Sequence, residues 1–381
     1  MCFWGIEFMD NHMRKVAIIT RHSVPNYGSF LQALATQRMI EELSLIPTII
    51  DYRRHDESPS ALINQYCHDH KNPLYSLYYN TFWRYSHSKI EKVLERERRK
   101  YLKCSERVYV DSLSNIYGKY DLYLTGSDQV WNVVGSGKTK EIDGAYFWDG
   151  LSEDSKVISY SASFGDSDLR ADDYNRCKNW LRKYDYISVR EDTGVKLLNR
   201  MGYRAEQVLD PTMVIEKDFW EKLCQKSTLR LKNQFVLVYN LHSNSNMKQF
   251  LMEEFKNSGF DVVSITTTFR KGLGKNIFCP EIADFLWLFK NASCVYADSF
   301  HAIAFSIIFN TPFVSTLPKE YSTRLESILR LFHLNNCIAD VISEKGWKEG
   351  RINWAYVNSV LEQEKDKSIK WLSDSVKSLY L

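Results

Sequence analysis

The sequence predicts an α/β protein made of two halves, and three observations lead to this prediction. Short runs rich in β-branched and aromatic residues alternate with longer stretches that carry apolar residues at helical spacing. This alternation breaks at a polar stretch over residues 226–233 and then resumes. The chain has 381 residues, which suits two domains of ordinary size better than one. Strands that alternate with helices favour parallel sheets covered by helices.

The first half opens as a strand–helix–strand unit. We predict a strand over residues 15–20, an amphipathic helix over residues 29–43 and a second strand over residues 47–52. Residues 55–110 then interrupt the alternation with a crowd of aromatic residues and a charge-rich helix over residues 84–107. Two interpretations of this insertion stay open: a helical pair with a solvated face, and a surface for an anionic or lipid-linked acceptor.

The alternation continues on both sides of a boundary near residue 230. The predicted strands of the first half lie over residues 122–125, 157–161, 186–189 and 208–209. The predicted strands of the second half lie over residues 235–239, 261–266, 294–297 and 313–314. Its predicted helices lie over residues 246–258, 281–291 and 302–309.

These elements divide the chain into three predicted segments. Residues 13–230 form an N-terminal Rossmann-like domain with a helical insertion at about residues 55–110. Residues 231–350 form a C-terminal Rossmann-like domain. Residues 351–381 form a C-terminal helical segment, with a helix over residues 355–379 that is expected to cross back to the first half.

Composition excludes several classes of protein. With 44% hydrophobic and 25% charged residues, the chain is expected to be a soluble globular protein. The formal charge of +3 is nearly balanced, which predicts no nucleic acid partner. No apolar run approaches the roughly 20 residues that span a bilayer, and residues 1–12 lack a secretory signal pattern. The eight cysteines are scattered, so neither a metal site nor a disulfide framework is expected.

Polar residues that a core does not need follow the first predicted strand. Asn26, Gly28 and Gln32 come directly after it, and a glycine there permits a tight turn and a close approach of a ligand. We predict that these residues bind substrate, with turn chemistry as the alternative for Asn26 and Gly28. The Gly-x-Gly-x-x-Gly fingerprint of dinucleotide-binding proteins is absent, so no such cofactor is expected.

A second polar group follows the predicted strand over residues 122–125. Asp128 and Asn132 can exchange hydrogen bonds with hydroxyl groups, and Trp131 can offer an apolar ring face. We predict that these residues and Ser127 bind substrate. The alternative is that Ser127 or Asp128 caps a helix.

The stretch from Asp298 to His301 is the most informative part of the chain. It lies between a predicted strand and a predicted helix, where open α/β sheets hold their ligands. A helix N-terminus also offers unpaired N–H groups to an anion. Ser299 is therefore predicted to bind substrate and His301 to take part in catalysis, although a single histidine is often only structural.

Two arginines and two further histidines complete the candidates. Arg190 comes directly after a predicted strand, and its planar guanidinium suits a phosphate or carboxylate. Arg324 is either a second anion ligand or a residue at a helix N-terminus. His22 and His242 also follow predicted strands and are weaker candidates for the same site.

Taken in order, these pieces resemble the polysaccharide pyruvyl transferase family. The resemblance covers about residues 14–335, and its most specific parts are the segments Gly126-Ser-Asp-Gln-Val-Trp-Asn132 and Asp298-Ser-Phe-His301. The matching segments are Asn26-Tyr-Gly-Ser-Phe-Leu-Gln32, Tyr160-Ser-Ala-Ser-Phe-Gly165, Ile187-Ser-Val-Arg-Glu191, Val208-Leu-Asp-Pro-Thr212, Leu124-Thr-Gly-Ser-Asp-Gln-Val-Trp-Asn132 and Asp298-Ser-Phe-His301.

The resemblance implies a GT-B-like fold, with two Rossmann-type domains facing a central cleft. It implies transfer of pyruvate from phosphoenolpyruvate to a sugar as a ketal, in polysaccharide or exopolysaccharide biosynthesis. Arg190 would hold the phosphate or carboxylate of the donor, and His301 would act in catalysis. The family commonly has glycine after this histidine, where this chain has Ala302. The added methyl group would narrow the pocket or alter the choice of donor.

The resemblance also implies where the protein works and with what. The acceptor is expected to be a glycan or a lipid-linked oligosaccharide, and phosphoenolpyruvate enters as a substrate with no resident cofactor. A cytoplasmic location is expected, with room for peripheral contact with the inner face of the membrane. Two alternatives stay open: a GT-B-type glycosyltransferase that uses a nucleotide sugar, and a non-catalytic glycan-binding relative.

Overall fold

The computed structural model describes residues 13–58, 60–64, 73–134, 141–241, 259–268, 273–318, 322–339 and 352–380. The chain forms two compact units. Unit 1 comprises Met1–Arg84, Glu95–Ile215 and Glu364–Leu381, and unit 2 comprises Tyr85–Leu94 and Glu216–Gln363. The boundary expected near residue 230 therefore falls inside unit 2, because the chain joins that unit at Glu216.

Unit 1 is built on a six-stranded parallel sheet in the order β2-β1-β3-β6-β7-β8. The central strands are buried on both faces, which explains why they read as continuous apolar runs. A separate two-stranded antiparallel ribbon pairs β4 with β5. The strands are β1 (Lys15–Ile19), β2 (Ile46–Ile49), β3 (Leu122–Thr125), β4 (Val133–Val134), β5 (Glu141–Ile142), β6 (Val157–Ala162), β7 (Tyr186–Val189) and β8 (Glu206–Gln207).

The helix α1 (Tyr27–Glu42) lies between β1 and β2 in the chain. It begins two residues before the predicted start because the Asn26 side chain accepts a hydrogen bond from Gly28 N (2.8 Å) and caps it. The helix is buried on nearly all sides, so the amphipathic character predicted for it is wrong. The other helices in this part are α4 (Ala171–Trp180), α5 (Asp192–Met201) and α6 (Pro211–Val214), which follow α2 (Pro73–Tyr78) and α3 (Arg84–Tyr101) of the insertion in the chain.

The described part of the insertion includes helices. It runs through α2 (Pro73–Tyr78), a π-helical turn (Tyr79–Trp83) and α3 (Arg84–Tyr101). α3 ends six residues before the predicted end because Leu102 turns to an extended conformation. The chain then returns beside β2, where Ser105 N donates to Ile49 O (2.9 Å). Several apolar side chains of the insertion are more than half exposed, namely Leu74, Leu77, Phe82 and Tyr85.

Unit 2 is built on a five-stranded parallel sheet in the order β11-β10-β9-β12-β13. The helix predicted over residues 246–258 lies outside the described residues. The strands are β9 (Phe235–Tyr239), β10 (Asp261–Thr266), β11 (Lys275–Phe278), β12 (Cys294–Ala297) and β13 (Phe313–Ser315). The helices are α7 (Lys217–Cys224), α8 (Ile282–Asn291), α9 (Phe300–Phe309) and α10 (Thr323–Leu331).

The last helix, α11 (Trp354–Ser378), extends across the change from unit 2 to unit 1 at Glu364. Within unit 1, Ser368 Oγ accepts a hydrogen bond from Leu209 N (2.9 Å), and the Trp371 ring lies 6.2 Å from the Tyr160 ring. None of the helices in the described ranges is long and apolar enough to cross a membrane.

Candidate active site

The first polar cluster lies in unit 1, at the carboxyl ends of β1 and β3. These strands are neighbours at the point where the sheet order changes direction, which is where α/β sheets bind ligands. Thr20 Oγ1 donates to Ser127 O (2.9 Å), and Gln32 Nε2 donates to Thr20 Oγ1 (2.8 Å). Ser29 Oγ donates to Asp128 Oδ2 (2.6 Å). The structure thus brings together residues that the sequence placed after two separate strands.

Arg190 is the centre of a buried charge cluster in the same unit. Its Nη1 lies 2.9 Å from Asp210 Oδ2 and its Nη2 lies 3.4 Å from Asp128 Oδ1. Burial lowers the pKa of Arg190, but the charges of Asp210 and Asp128 outweigh burial and raise it above its ordinary value. Ser127 Oγ also donates to Asp210 Oδ2 (3.0 Å). Asp210 is therefore a structural anchor of the cluster.

Glu191 is a second buried carboxylate that sequence reasoning did not select. Its Oε1 accepts hydrogen bonds from Ser163 Oγ (2.8 Å) and Phe164 N (3.0 Å). These bonds fix the loop after β6. In that loop, a Cβ at position 165 would lie 2.6 Å from Asn132 Nδ2, so the position favours glycine. The strand-end position of Glu191, next to Arg190, was the only signal in the sequence.

Trp131 does not present a ring face to a substrate, so that prediction is wrong. The side chain is fully buried, stacked on Phe147 with ring centroids 5.2 Å apart and tilted against Phe164 at 5.1 Å. Ser127 and Asp128 do not cap a helix either, because no helix begins at residues 126–132. Asn132 accepts a hydrogen bond from Val133 N (2.7 Å) through Oδ1.

His22 is also structural. Its side chain is fully buried, with Nδ1 3.2 Å from Thr20 O and Nε2 3.1 Å from Asp51 Oδ1. Burial lowers the pKa of His22, although the hydrogen bond to Asp51 opposes this shift. Both ring nitrogens of His22 thus have partners inside the protein, which leaves neither for a substrate. His242 lies outside the described residues.

Gln32 Oε1 and Arg21 Nη1 are among the buried polar atoms of unit 1 that have no hydrogen-bond partner within the part of the chain that the structure describes. Arg21 directly follows Thr20, and its Nη2 donates to Glu57 Oε1 (2.7 Å). A bound molecule with hydroxyl groups could use both atoms, because one accepts and the other donates.

The second polar cluster lies in unit 2, at the carboxyl ends of β9 and β12. These strands are again neighbours where the sheet order changes direction. Asp298 Oδ1 accepts a hydrogen bond from Leu241 N (2.7 Å) and so joins the two strand ends. α9 then begins at Phe300, with Ser299 at its N-cap position.

His301 occupies the first turn of α9 and is 7% exposed. Its ring meets the edge of the Phe300 ring, with centroids 5.3 Å apart. The Ser299 side chain makes no capping hydrogen bond, in contrast to Asn26 at the start of α1. Ala302 is fully buried, so its methyl group packs inside the unit. Arg324 lies in the first turn of α10. A residue at a helix N-terminus was one of the two interpretations of Arg324 from the sequence.

Comparison with known proteins decides the family. A model of the polysaccharide pyruvyl transferase family matches residues 26–318. The chain belongs to this family. The matched residues include Gln32 and Asp128 of the unit 1 cluster and Asp298 and His301 of the unit 2 cluster. Membership in a polysaccharide pyruvyl transferase family gives the chain a transferase role and implies a glycan acceptor. No curated protein sequence matches the chain.

Solved structures add evidence on the fold of this pyruvyl transferase family member. UDP-GlcNAc 2-epimerase from Neisseria meningitidis, bound to UDP-GlcNAc, matches with a TM-score of 0.50 at 10% identity, over 96% of this chain and 99% of that chain. UDP-N-acetylglucosamine 2-epimerase from Rickettsia bellii matches with a TM-score of 0.49 at 13% identity, over 97% and 98% of the two chains. The likeness to the Neisseria protein and the two parallel sheets confirm the GT-B-like fold class.

Proposed function

We propose that the protein transfers a pyruvyl group from phosphoenolpyruvate to hydroxyls of a glycan or glycan precursor and forms a pyruvate ketal. The observation that carries this proposal is the family match over residues 26–318, because it includes Asp128 of the unit 1 cluster and His301 of the unit 2 cluster. The place of His301 beside a helix N-terminus supports the same chemistry, since a proton carrier there lies next to a site suited to an anion.

The reaction needs one proton delivered to carbon and two hydroxyl additions. Protonation of the methylene carbon of phosphoenolpyruvate makes the adjacent carbon electrophilic, and a sugar hydroxyl adds there and releases its proton. The C–O bond to phosphate then breaks and phosphate leaves with the electron pair, and a second hydroxyl adds to the same carbon and releases its proton to close the ketal. We assign His301 to the proton transfer, because histidine is the side chain used most often for general acid and base catalysis.

Arg324 and Arg190 have different roles in this proposal. Arg324 lies in the first turn of α10 and would balance the negative charge of the donor. Direct contact between Arg190 and the donor stays a prediction. The ion pairs of Arg190 with Asp128 and Asp210 favour an indirect role, in which it holds Asp128 in place.

The polar residues of unit 1 suit a hydroxylated acceptor. Gln32, Asp128 and Asn132 provide amide and carboxylate groups at the strand ends, and such groups form hydrogen bonds with sugar hydroxyls. We propose a glycan or lipid-linked oligosaccharide as acceptor, met in the cytoplasm at the inner face of the membrane. The exposed apolar side chains of the insertion, such as Leu74 and Phe82, support contact with a lipid-linked molecule.

The test is acceptor-dependent phosphate release from phosphoenolpyruvate, with the product identified as a ketal by mass spectrometry and NMR. His301→Ala is expected to lower the rate about 10²- to 10⁴-fold with an unchanged melting temperature. His333→Asn is the matched control, because His333 is an exposed histidine of the same unit, and asparagine accepts its left-handed backbone. Transfer from a nucleotide sugar without any reaction of phosphoenolpyruvate would refute the proposal in favour of a glycosyltransferase.

A further inference from the structure

Arg21 and Glu57 form an ion pair that the proposed reaction does not use. Arg21 Nη2 lies 2.7 Å from Glu57 Oε1, and both residues belong to unit 1. Arg21 follows β1 after Thr20, and Glu57 ends a short 3-10 helix (His55–Glu57) that follows β2, the parallel neighbour of β1. The carboxyl ends of parallel strands share one edge of a sheet, so the pair lies at the edge that carries the unit 1 cluster.

Part of this ion pair is not used by the protein. Arg21 Nη1 is buried and has no hydrogen-bond partner among the residues that the structure describes. Buried polar groups in folded proteins are nearly always bonded to protein, water or ligand. The side chains of Arg21 and Glu57 are 15% and 22% exposed, so a molecule from solvent can reach the pair.

Arg21 also lies close to the unit 1 cluster. Burial alone would lower the pKa of Arg21, but the charge of Glu57 and, more weakly, that of Asp128 help to raise it above its ordinary value. The guanidinium therefore stays charged and keeps all its N–H donors. Asp128 acts on Arg21 through space and also accepts the hydrogen bond from Ser29 Oγ (2.6 Å), so it connects the ion pair with the cluster.

The charges beside the pair disfavour an anionic ligand. Asp56 directly precedes Glu57, and Arg54 Nη2 lies 2.8 Å from Asp56 Oδ2. Arg54 Nη1 lies 2.6 Å from Asp143 Oδ2. The two arginines, including Arg21, thus stand against three carboxylates, which leaves one negative charge in excess. An excess negative charge repels phosphate and carboxylate groups, so the pair suits an uncharged ligand better than phosphoenolpyruvate.

Sugar hydroxyls match what the pair offers. Arg21 Nη1 can donate to one hydroxyl oxygen, and the Glu57 carboxylate can accept from a neighbouring hydroxyl. Hydrogen bonds to charged groups are stronger than those between neutral groups. The buried ring of Tyr146, with its centroid 6.0 Å from Arg21 Cζ, supplies apolar surroundings that strengthen such bonds further.

We propose that Arg21 and Glu57 bind two hydroxyls of the acceptor sugar and so help to select it. The identity of this sugar as the acceptor of a pyruvyl group rests on the proposed function. Both residues are binding residues, and the proton transfer stays with His301. A sugar that lacks one of these hydroxyls would leave a charged group unpaired, and this is the source of the selection.

The experiment replaces Arg21 by lysine. Lysine keeps the positive charge opposite Glu57 but has a single nitrogen, so the donor at Nη1 is lost. The full-length proteins are titrated with the methyl glycosides of glucose, galactose and mannose, and binding is followed by saturation-transfer NMR. Arg21→Lys and Glu57→Ala are each expected to weaken binding of the preferred glycoside about tenfold, because each loses a hydrogen bond to a charged group.

Arg38→Lys is the matched control. Arg38 forms an exposed ion pair on α1 in the same unit, with Nε 2.9 Å from Glu42 Oε1. This variant should bind the glycoside as the wild type does. The same proteins are also titrated with phosphoenolpyruvate, with binding measured by the rise in melting temperature, and all should respond equally.

Four outcomes overturn the inference. If Arg21→Lys or Glu57→Ala binds the glycoside with wild-type affinity, the pair does not hold a sugar and Nη1 serves only water. If Arg38→Lys weakens binding as much, the effect is not local. If Arg21→Lys weakens phosphoenolpyruvate binding and leaves glycoside binding unchanged, the pair belongs to the donor site. A wild type that binds none of the three glycosides also refutes it.

Failure of the proposed function is seen separately, as a wild type whose melting temperature does not respond to phosphoenolpyruvate. The glycoside titrations contain no donor, so they judge the sugar site in that case as well. A weaker glycoside affinity of Arg21→Lys would then support the site, and an unchanged affinity would refute it.

Discussion

Arg190 shows how a single side chain determines the shape of a site without having to touch a ligand. Its guanidinium lies between Asp128 and Asp210, and the side chain is 1% exposed. Two carboxylates buried without a counter-ion would be strongly unfavourable, because a buried charge loses its hydration and no opposite charge compensates for that loss. The arginine therefore fixes both aspartates, and through Asp128 it fixes the hydroxyl of Ser29.

Replacement of this arginine tests the role directly. Arg190→Ala is expected to lower the free energy of unfolding by about 3–5 kcal/mol, since it removes the guanidinium that forms ion pairs with two buried carboxylates. Urea denaturation followed by tryptophan fluorescence measures the change. Arg200→Ala, which removes a surface guanidinium beside Asp168, should alter stability by less than about 1 kcal/mol.

A loss below about 1 kcal/mol for Arg190→Ala would show that the carboxylates find other partners, and the anchoring role would be wrong.

Sequence could place Arg190 at a strand end but could not reveal this role. Asp210 and Asp128 lie 20 and 62 residues away in the chain, and only the parallel sheet brings them together. The same limit explains Trp131, whose stacking partners Phe147 and Phe164 no local pattern could identify.

At the scale of elements, the turn after β3 depends on one glycine. Gly126 has a φ of +115°, and a Cβ at this position would lie 2.3 Å from Tyr160 O in the neighbouring strand β6. Backbone atoms cannot move aside as the end of a flexible side chain can. The turn carries Ser127 and Asp128 into the unit 1 cluster, so the geometry of that cluster requires glycine here.

Gly126→Ala is therefore expected to lower the free energy of unfolding by more than about 3 kcal/mol, from backbone strain and a clash together. Gly202→Ala is the matched control. Gly202 ends α5 with a φ of +91°, and its Cβ would meet no atom within 4 Å. Only the left-handed strain of about 1–2 kcal/mol should appear there. Equal losses in the two variants, measured by thermal denaturation, would contradict the clash at Gly126.

The strands were the most predictable elements, because buried parallel strands read as apolar runs. β9, β10 and β12 have the predicted bounds. β11 (Lys275–Phe278) was missed, since its first two residues are exposed and polar and it forms the edge of its sheet. α1 begins two residues earlier than predicted, because the N-cap residue Asn26 sets the start of the helix.

For the whole molecule, the sequence indicated two α/β halves but not how the last helix is divided. α11 continues through Glu364, where the chain passes from unit 2 to unit 1. Leu361 is buried in the first part of this helix, and Leu372 is buried in the second part. Periodicity marks both as apolar positions of one helix, but it cannot show that they belong to different units, because that depends on contacts distant in the chain.

This division predicts that two leucine substitutions in one helix weaken different units. Leu372→Ala should lower the local stability of unit 1 by about 2–5 kcal/mol and speed amide hydrogen exchange in β3 and β6, because a buried cavity forms there. Leu361→Ala should speed exchange in β9 and β12 and leave β3 and β6 protected. Lys370→Ala, at an exposed charged position of the same helix, should change neither. Exchange mass spectrometry resolves the strands, and equal acceleration of both sheets by either leucine variant would show that the helix stabilises the chain as one block.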